Sequence, residues 1–167
     1  MLNHILNSYQ VKVPELGKNA RILVIDDDEV IRDTLAMALE NEGYNVDKAK
    51  NGKEAIEKSF RNFYNLAIVD WRLPDVEGTK LLSELKETTP KMAKIILTGF
   101  PSMKNAMDAV NKRADAFLLK PVDFEVLLGK ISELLKQQEQ SQAFSEDMMV
   151  SFIETRVKEF EQKENIT

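Results

Sequence analysis

Leu66-Ala67-Ile68-Val69-Asp70-Trp71-Arg72-Leu73-Pro74-Asp75-Val76-Glu77-Gly78 is the stretch on which the reading of this chain turns. An apolar run of strand length ends abruptly on an aspartate, and a turn-rich segment with Pro74 and Gly78 follows. A strand apolar at every position suits burial on both faces. A carboxylate at its carboxyl end would sit where open α/β sheets place their ligands. Taken alone, Asp70 would serve as well to cap the following turn.

Outward from this stretch, short apolar runs alternate with segments of helical period. Ile22-Leu23-Val24-Ile25 ends in Asp26-Asp27-Asp28, and a helix follows with Val30, Ile31, Thr34, Leu35, Ala38 and Leu39 on one face. Gly43 stops that helix. Tyr44 to Ala49 alternates well enough for a strand near an edge, and Asn51-Gly52 turns into a helix bearing Ala55, Ile56, Ser59 and Phe60. After the central strand, a helix carries Leu81, Leu82 and Leu85. Pro90 then precedes the strand Lys94 to Thr98, a helix follows with Met103, Ala106, Met107 and Val110, and the last strand, Ala116 to Lys120, is ended by Pro121. Strands alternating with helices imply right-handed crossovers and a parallel sheet, an α/β fold of five strands.

The chain has 167 residues, 43% of them hydrophobic and 31% charged, which is an ordinary globular composition with room for a full core. No apolar run reaches the length of a membrane-spanning helix, and residues 1–19, broken by Pro14 and Gly17, read as a leader rather than a secretory signal. The absence of Cys removes disulfides and thiolate metal sites and suits a reducing cytoplasm. His4 is the only histidine, which argues against His-based catalysis and multi-histidine zinc sites. Of the net charge of −5, the whole acidic surplus lies from Asp123 onward, where ten acids face five bases. Neither part carries the basic footprint of a nucleic-acid binder.

In a parallel sheet all strand ends point one way, so Asp26, Asp27, Asp70, Thr98 and Lys120 share one rim. Clustered carboxylates repel unless a cation neutralises them, and an all-oxygen set with open positions favours Mg²⁺. A carboxylate beside Mg²⁺, with Thr and Lys donors, is equipped to accept a phosphoryl group. Each residue also has a plainer role: Asp26–Asp28 as a helix cap, Thr98 as a strand end, Lys120 as a solvated rim charge.

Four motifs in order carry a family resemblance: Val24-Ile25-Asp26-Asp27-Asp28-Glu29, Asp70 to Gly78, Ile95-Ile96-Leu97-Thr98-Gly99 and Leu119-Lys120-Pro121. They resemble the receiver domain of two-component response regulators, over residues 20 to about 136. The resemblance implies a flavodoxin-like receiver with strand order 2-1-3-4-5 and helices on both faces. It implies Asp70 as phosphoacceptor, Mg²⁺ held by Asp27, Asp26, Asp70 and the Arg72 main-chain carbonyl, and Thr98 and Lys120 against the phosphoryl group. Thr98 and Phe117 would form the switch, Arg72 and Phe100 would set the lifetime of the phospho-form, and the Lys120–Pro121 peptide would be cis. Both lifetime positions are bulky, which predicts slow self-dephosphorylation; the resemblance implies no turnover of an independent substrate. The donor would be a histidine kinase or phosphotransfer protein. One departure is Arg113, where many receivers have Gly ahead of a segment like Ala114-Asp115-Ala116.

Two other readings remain. Asp26-Asp27-Asp28-Glu29-Val30 fits the D-x-D-x-V motif of haloacid-dehalogenase-type phosphatases with Asp26 as nucleophile, but that reading leaves Asp70 and its loop unexplained. A receiver-like interaction module without phosphorylation is the third.

The domain organisation expected is a leader (1–19), a receiver (20–138) and an acidic amphipathic C-terminal helix (139–167). Phe124, Leu127, Leu128, Ile131, Leu134 and Leu135 give the last receiver helix its apolar face. Gln137–Gln142 either continues that helix or loosens into a linker. Phe144, Met148, Met149, Phe152, Ile153, Val157 and Phe160 then recur at helical spacing, with Ser145 a candidate cap. Such a helix would pack back on its own receiver, dimerise or bind a partner. It is too short and too acidic for a DNA-binding output, so the expected output is protein contact, through this helix or the face of the 103–112 helix, without direct nucleic-acid binding or membrane insertion.

Overall fold

The computed structural model describes residues 19–99, 102, 111 and 113–164. Strand β1 (Arg21–Ile25), helix α1 (Glu29–Asn41), β2 (Asn45–Ala49), α2 (Gly52–Arg61), β3 (Leu66–Asp70), α3 (Gly78–Glu84), β4 (Ala93–Thr98), β5 (Ala116–Leu119) and α4 (Phe124–Glu164) follow one another. The five strands form one parallel sheet in the order β2-β1-β3-β4-β5. The helix expected around Met103–Val110, and Phe100, lie outside the described residues, as do residues 1–18.

Alternation along the buried strands divides the core in two. Ile22, Val24, Leu66, Ile68, Ile95 and Leu97 pack with Leu35 and Leu39 of α1 and with Leu127, Ile131 and Leu135 of α4. Leu23, Ile25, Ala67, Val69 and Ile96 pack on the other face with Ala55 of α2 and with Leu81, Leu82 and Leu85 in and after α3. Strands β3 and β4 are buried along their whole length, which is why Leu66–Val69 and Ile95–Leu97 read as apolar runs without polar alternation.

Two helix faces are rotated from the expected ones. In α1 the buried residues are Leu35, Ala36 and Leu39, whereas Val30 and Thr34 face solvent; in α2, Ala55 and Ser59 are buried and Phe60 is exposed. Lys94 departs from the pattern in the opposite sense. It is buried within β4, its Nζ donates to the Leu82 carbonyl at 2.7 Å, and burial pushes its ammonium below the usual lysine range. Arg113 holds a left-handed backbone at φ 70°, the conformation a glycine adopts without cost.

Helix α4 does not loosen at Gln137–Gln142. It runs unbroken from the Asp123 cap to Glu164, and Ser145 lies inside it, its hydroxyl donating to the Ser141 carbonyl. Gln138 fixes the point of exit. Buried at the amino ends of the strands, its Nε2 donates to the Asn65 carbonyl at 3.1 Å and the Lys91 carbonyl at 2.6 Å. Its Oε1 accepts from Asn65 Nδ2 at 3.1 Å, while Asn65 Oδ1 accepts from the Arg21 amide at 2.9 Å. One glutamine thus ties α4 to β3 and to the segment entering β4, and Asn65 extends the tie to β1. Removing it takes a donor from the Lys91 carbonyl and the acceptor from Asn65 Nδ2, while the Asn65 carbonyl keeps the Ala93 amide, so Gln138→Ala is expected to lower unfolding stability by about 1–3 kcal/mol in urea titrations.

Candidate functional site

Parallel register brings the carboxyl ends of β1, β3, β4 and β5 to one rim. Main-chain hydrogen bonds fix the residues just past the strands: Asp26 N to Ala49 O at 3.1 Å, Trp71 N to Leu97 O at 2.7 Å and Lys120 N to Thr98 O at 2.7 Å. The three adjacent aspartates divide their work. Asp28 caps α1, accepting from the amides of Val30 and Ile31. Asp26 turns inward and is only 2% exposed, and Asp27 stays at the surface. Carboxylate oxygens of Asp26, Asp27 and Asp70 lie within 4.8 Å of one another.

Lys120 bridges this cluster. Its Nζ lies 2.8 Å from Asp26 Oδ2 and 3.1 Å from Asp70 Oδ1. Asp26 Oδ1 accepts the Asp28 amide at 2.9 Å, and the Arg32 guanidinium donates to the Asp26 carbonyl at 2.9 Å. Burial alone would push the Lys120 ammonium down, but the hydrogen bonds and charges of Asp26 and Asp70 outweigh it and hold it above the usual lysine range. Asp70, 8% exposed, is raised above the usual carboxylate range, chiefly by burial and then by the Asp26 charge, against the pull of Lys120 and the Arg72 amide. The ammonium therefore stays charged between two carboxylates that it only partly neutralises.

The loop after Asp70 is held at both ends. The Gly78 amide donates to the Trp71 carbonyl at 2.8 Å, and Arg72 pairs with Glu77 in an antiparallel bridge. A Cβ at Gly78 would lie 2.4 Å from the Asp70 carbonyl oxygen, so only glycine lets the loop close against the strand end. At the far side Asp75 caps α2, its oxygens accepting the Gly52 and Lys53 amides, each at 2.9 Å. Burial would raise the Asp75 carboxyl, but these amides prevail and hold it below the usual range. Sequence reasoning missed Asp75, for which the available signal was a carboxylate in the loop and a glycine opening α2.

Thr98 is buried at the end of β4. Phe117 is half-buried in β5 and meets Trp71 edge-on, ring centroids 6.3 Å apart. The Lys120–Pro121 peptide is cis. The structure thus brings Asp26, Asp27, Asp70 and Lys120 into direct proximity and places Thr98, Arg72 and Phe117 around them.

A receiver is what this rim and strand order define, and comparison with known proteins agrees. The sequence profile of the response regulator receiver domain matches residues 22–132. The chain belongs to that family, whose members act in phosphorylation-dependent two-component signalling. It is 43% identical to a CheY-like response regulator receiver domain protein from Methanospirillum hungatei, over 73% of this chain and 98% of that one, with a TM-score of 0.70. A response regulator from Burkholderia pseudomallei, solved with a phosphorylated aspartic acid and a calcium ion, is 32% identical over 75% and 74% of the two chains, with a TM-score of 0.64. The transcriptional regulatory protein ZraR of Klebsiella oxytoca is 34% identical over 71% of this chain and 27% of its own length. This chain spans about a quarter of the length of ZraR and of GlrR from Escherichia coli.

Two outcomes follow from the geometry. Because burial makes the folded state hold the Asp70 proton more tightly than the unfolded chain does, Asp70 costs stability as pH rises from the ordinary Asp range through its raised value. Asp70→Asn without divalent metal at pH 7 should therefore raise Tm by roughly 2–6 °C, the effect of about 1 kcal/mol in a domain of this size, with a smaller gain in acid. Differential scanning calorimetry at the two pH values reads it. Gly78→Ala forces backbone against backbone, and an expected loss of about 1–3 kcal/mol in chemical denaturation accompanies displacement of the loop.

Proposed function

We propose that Asp70 accepts a phosphoryl group from a phosphohistidine on a histidine kinase or phosphotransfer protein, with Mg²⁺ as the metal, and that the phosphorylated chain signals by changed protein contact. The observation that carries this reading is the convergence of Asp26, Asp27 and Asp70 within 4.8 Å, with Lys120 spanning Asp26 and Asp70. The donor set fits a hard divalent cation: three carboxylates, joined in the proposal by the Arg72 main-chain carbonyl. When bound, Mg²⁺ supplies charge neutralisation at the transferring oxygens.

In the transfer, a carboxylate oxygen of Asp70 forms the new P–O bond as the donor P–N bond breaks. The electron pair remains on the imidazole nitrogen, which takes up a proton. Lys120 already contacts Asp70 and would follow the charge onto the phosphoryl oxygens, and Thr98 would donate its hydroxyl to one of them. Asp26 is the more deeply buried of the two, 2% exposed against 8% for Asp70, with one oxygen on the Lys120 ammonium and the other on the Asp28 amide, which weighs against the phosphatase alternative.

Thr98 and Phe117 form the switch in this proposal. A dianion at Asp70 draws Thr98 toward it, and the edge contact of Phe117 with Trp71 makes that aromatic sensitive to movement beside Asp70. Arg72 and Phe100 slow attack by water. Residues 20–138 are proposed as the receiver and 139–167 as the contact segment, which presents Phe144, Met148, Met149, Phe152 and Ile153 to solvent rather than to its own receiver core. Among the described residues no helix is long and apolar enough to cross a membrane, and the cytoplasm is the proposed compartment.

Incubated with acetyl phosphate and Mg²⁺, the intact chain is expected to gain the mass of one phosphoryl group by electrospray mass spectrometry. Asp70→Asn, or chelation of the metal, should abolish the gain. The label should persist for minutes or longer, and a lifetime of seconds would contradict the roles given to Arg72 and Phe100.

A further inference from the structure

The apolar stripe at the end of α4 is in phase with the face that α4 packs against its own sheet. Leu127, Ile131, Leu134 and Gln138 are buried, and the same three-and-four spacing continues through Ser141, Ser145, Met149 and Phe152. The structure shows the continuity directly. Leu134, Gln138, Ser145 and Met149 line one groove of about 590 Å³ with Met92 and Ala93, below the amino end of β4. From the outer edge of the groove onward the stripe is bare: Met149, at that edge, is 66% exposed and Phe152 62%. Whatever covers it must lie directly beneath the receiver, on the receiver's side of the helix.

We infer that α4 pairs with α4 of a second copy in antiparallel orientation, the far end of each helix reaching the groove of the other. Two observations select this occupant and this direction. In a parallel pair joined along this stripe, both receivers would have to fit between helices packed about 8–10 Å apart, and a domain of this size is far wider than that. An antiparallel pair sets the receivers at opposite ends, where nothing collides. Charge points the same way. Residues 139–150 hold Glu139, Glu146 and Asp147 and no base, whereas residues 152–163, which antiparallel pairing about Ser151 sets opposite them, hold Arg156, Lys158 and Lys163 against Glu154, Glu159 and Glu161. Antiparallel pairing centred near Ser151 sets Glu146 beside Arg156 of the second copy, whereas parallel pairing sets the acidic stretches together.

The inference rests on the proposed role of residues 139–167 in association, and not on phosphorylation of Asp70. The chain has no cysteine, so a single Lys136→Cys variant can be spin-labelled at one exposed site. At a rise of about 1.5 Å per residue, antiparallel pairing separates the two labels by about 45 Å along the axis, whereas parallel pairing keeps them within about two helix diameters, roughly 20–24 Å. Light scattering of the intact chain should give a dimer, and double electron–electron resonance should give the long distance. Both results should be retained when Asp70→Asn is added, so a failed phosphoacceptor assignment would leave them standing. Met149→Lys with Phe152→Lys should give a monomer that still takes up phosphoryl from acetyl phosphate and keeps its circular dichroism. A monomeric intact chain, a short label distance, or a double variant that stays dimeric would each overturn the inference.

Discussion

The bridge from Lys120 to Asp26 and Asp70 is the constraint to which the rest of the receiver is fitted. Two buried carboxylates on adjacent strands, with Asp27 beside them, repel one another, and one ammonium at 2.8 and 3.1 Å only partly offsets that repulsion. The arrangement survives because the sheet holds it. Strand β5 can deliver Lys120 only if it pairs beyond β4, and the Thr98–Lys120 main-chain hydrogen bond sets its reach. Stability is given up at this rim and recovered in two apolar layers on either side of β1, β3 and β4. A site that is under-neutralised at rest is one that a cation or a transferred phosphoryl group can reorganise.

The Asp70 loop links that rim to the helices. Gly78 closes it against the Asp70 backbone, Asp75 anchors it to the amino end of α2, and Trp71 touches Phe117 on β5. A change at Asp70 therefore meets α2, α3 and β5 through direct contacts, with no long relay required.

Much of this was legible in the sequence, for a physical reason. Each buried strand is an apolar run that stops at the rim, so the polar residues at the stops, Asp26, Asp70, Thr98 and Lys120, announced a common edge as soon as the sheet was read as parallel. What the sequence did not disclose depends on contacts between distant segments. Lys94 looked like the polar start of a strand and is buried, its ammonium on the Leu82 carbonyl. Gln138 sat in a polar run that read equally as linker, yet it joins α4 to the start of the sheet. Val30 and Phe60 fit helical spacing but face solvent, because periodicity fixes a stripe's width more surely than its rotation. Arg113 shows the converse: an arginine stands where many receivers have glycine, and the backbone there is left-handed all the same. The phase of the α4 stripe with the receiver-facing surface was likewise present in the spacing, but it acquired meaning only once α4 proved continuous through Gln142.

The central claim is that Asp70, and neither Asp26 nor Asp27, receives the phosphoryl group. Borohydride reduction of the phosphorylated chain, followed by peptide mapping, tests it most directly, because an acyl phosphate on aspartate is reduced to homoserine. The account predicts homoserine at position 70 alone. Homoserine at position 26 or 27, or phosphate retained on a residue that borohydride does not reduce, would contradict it.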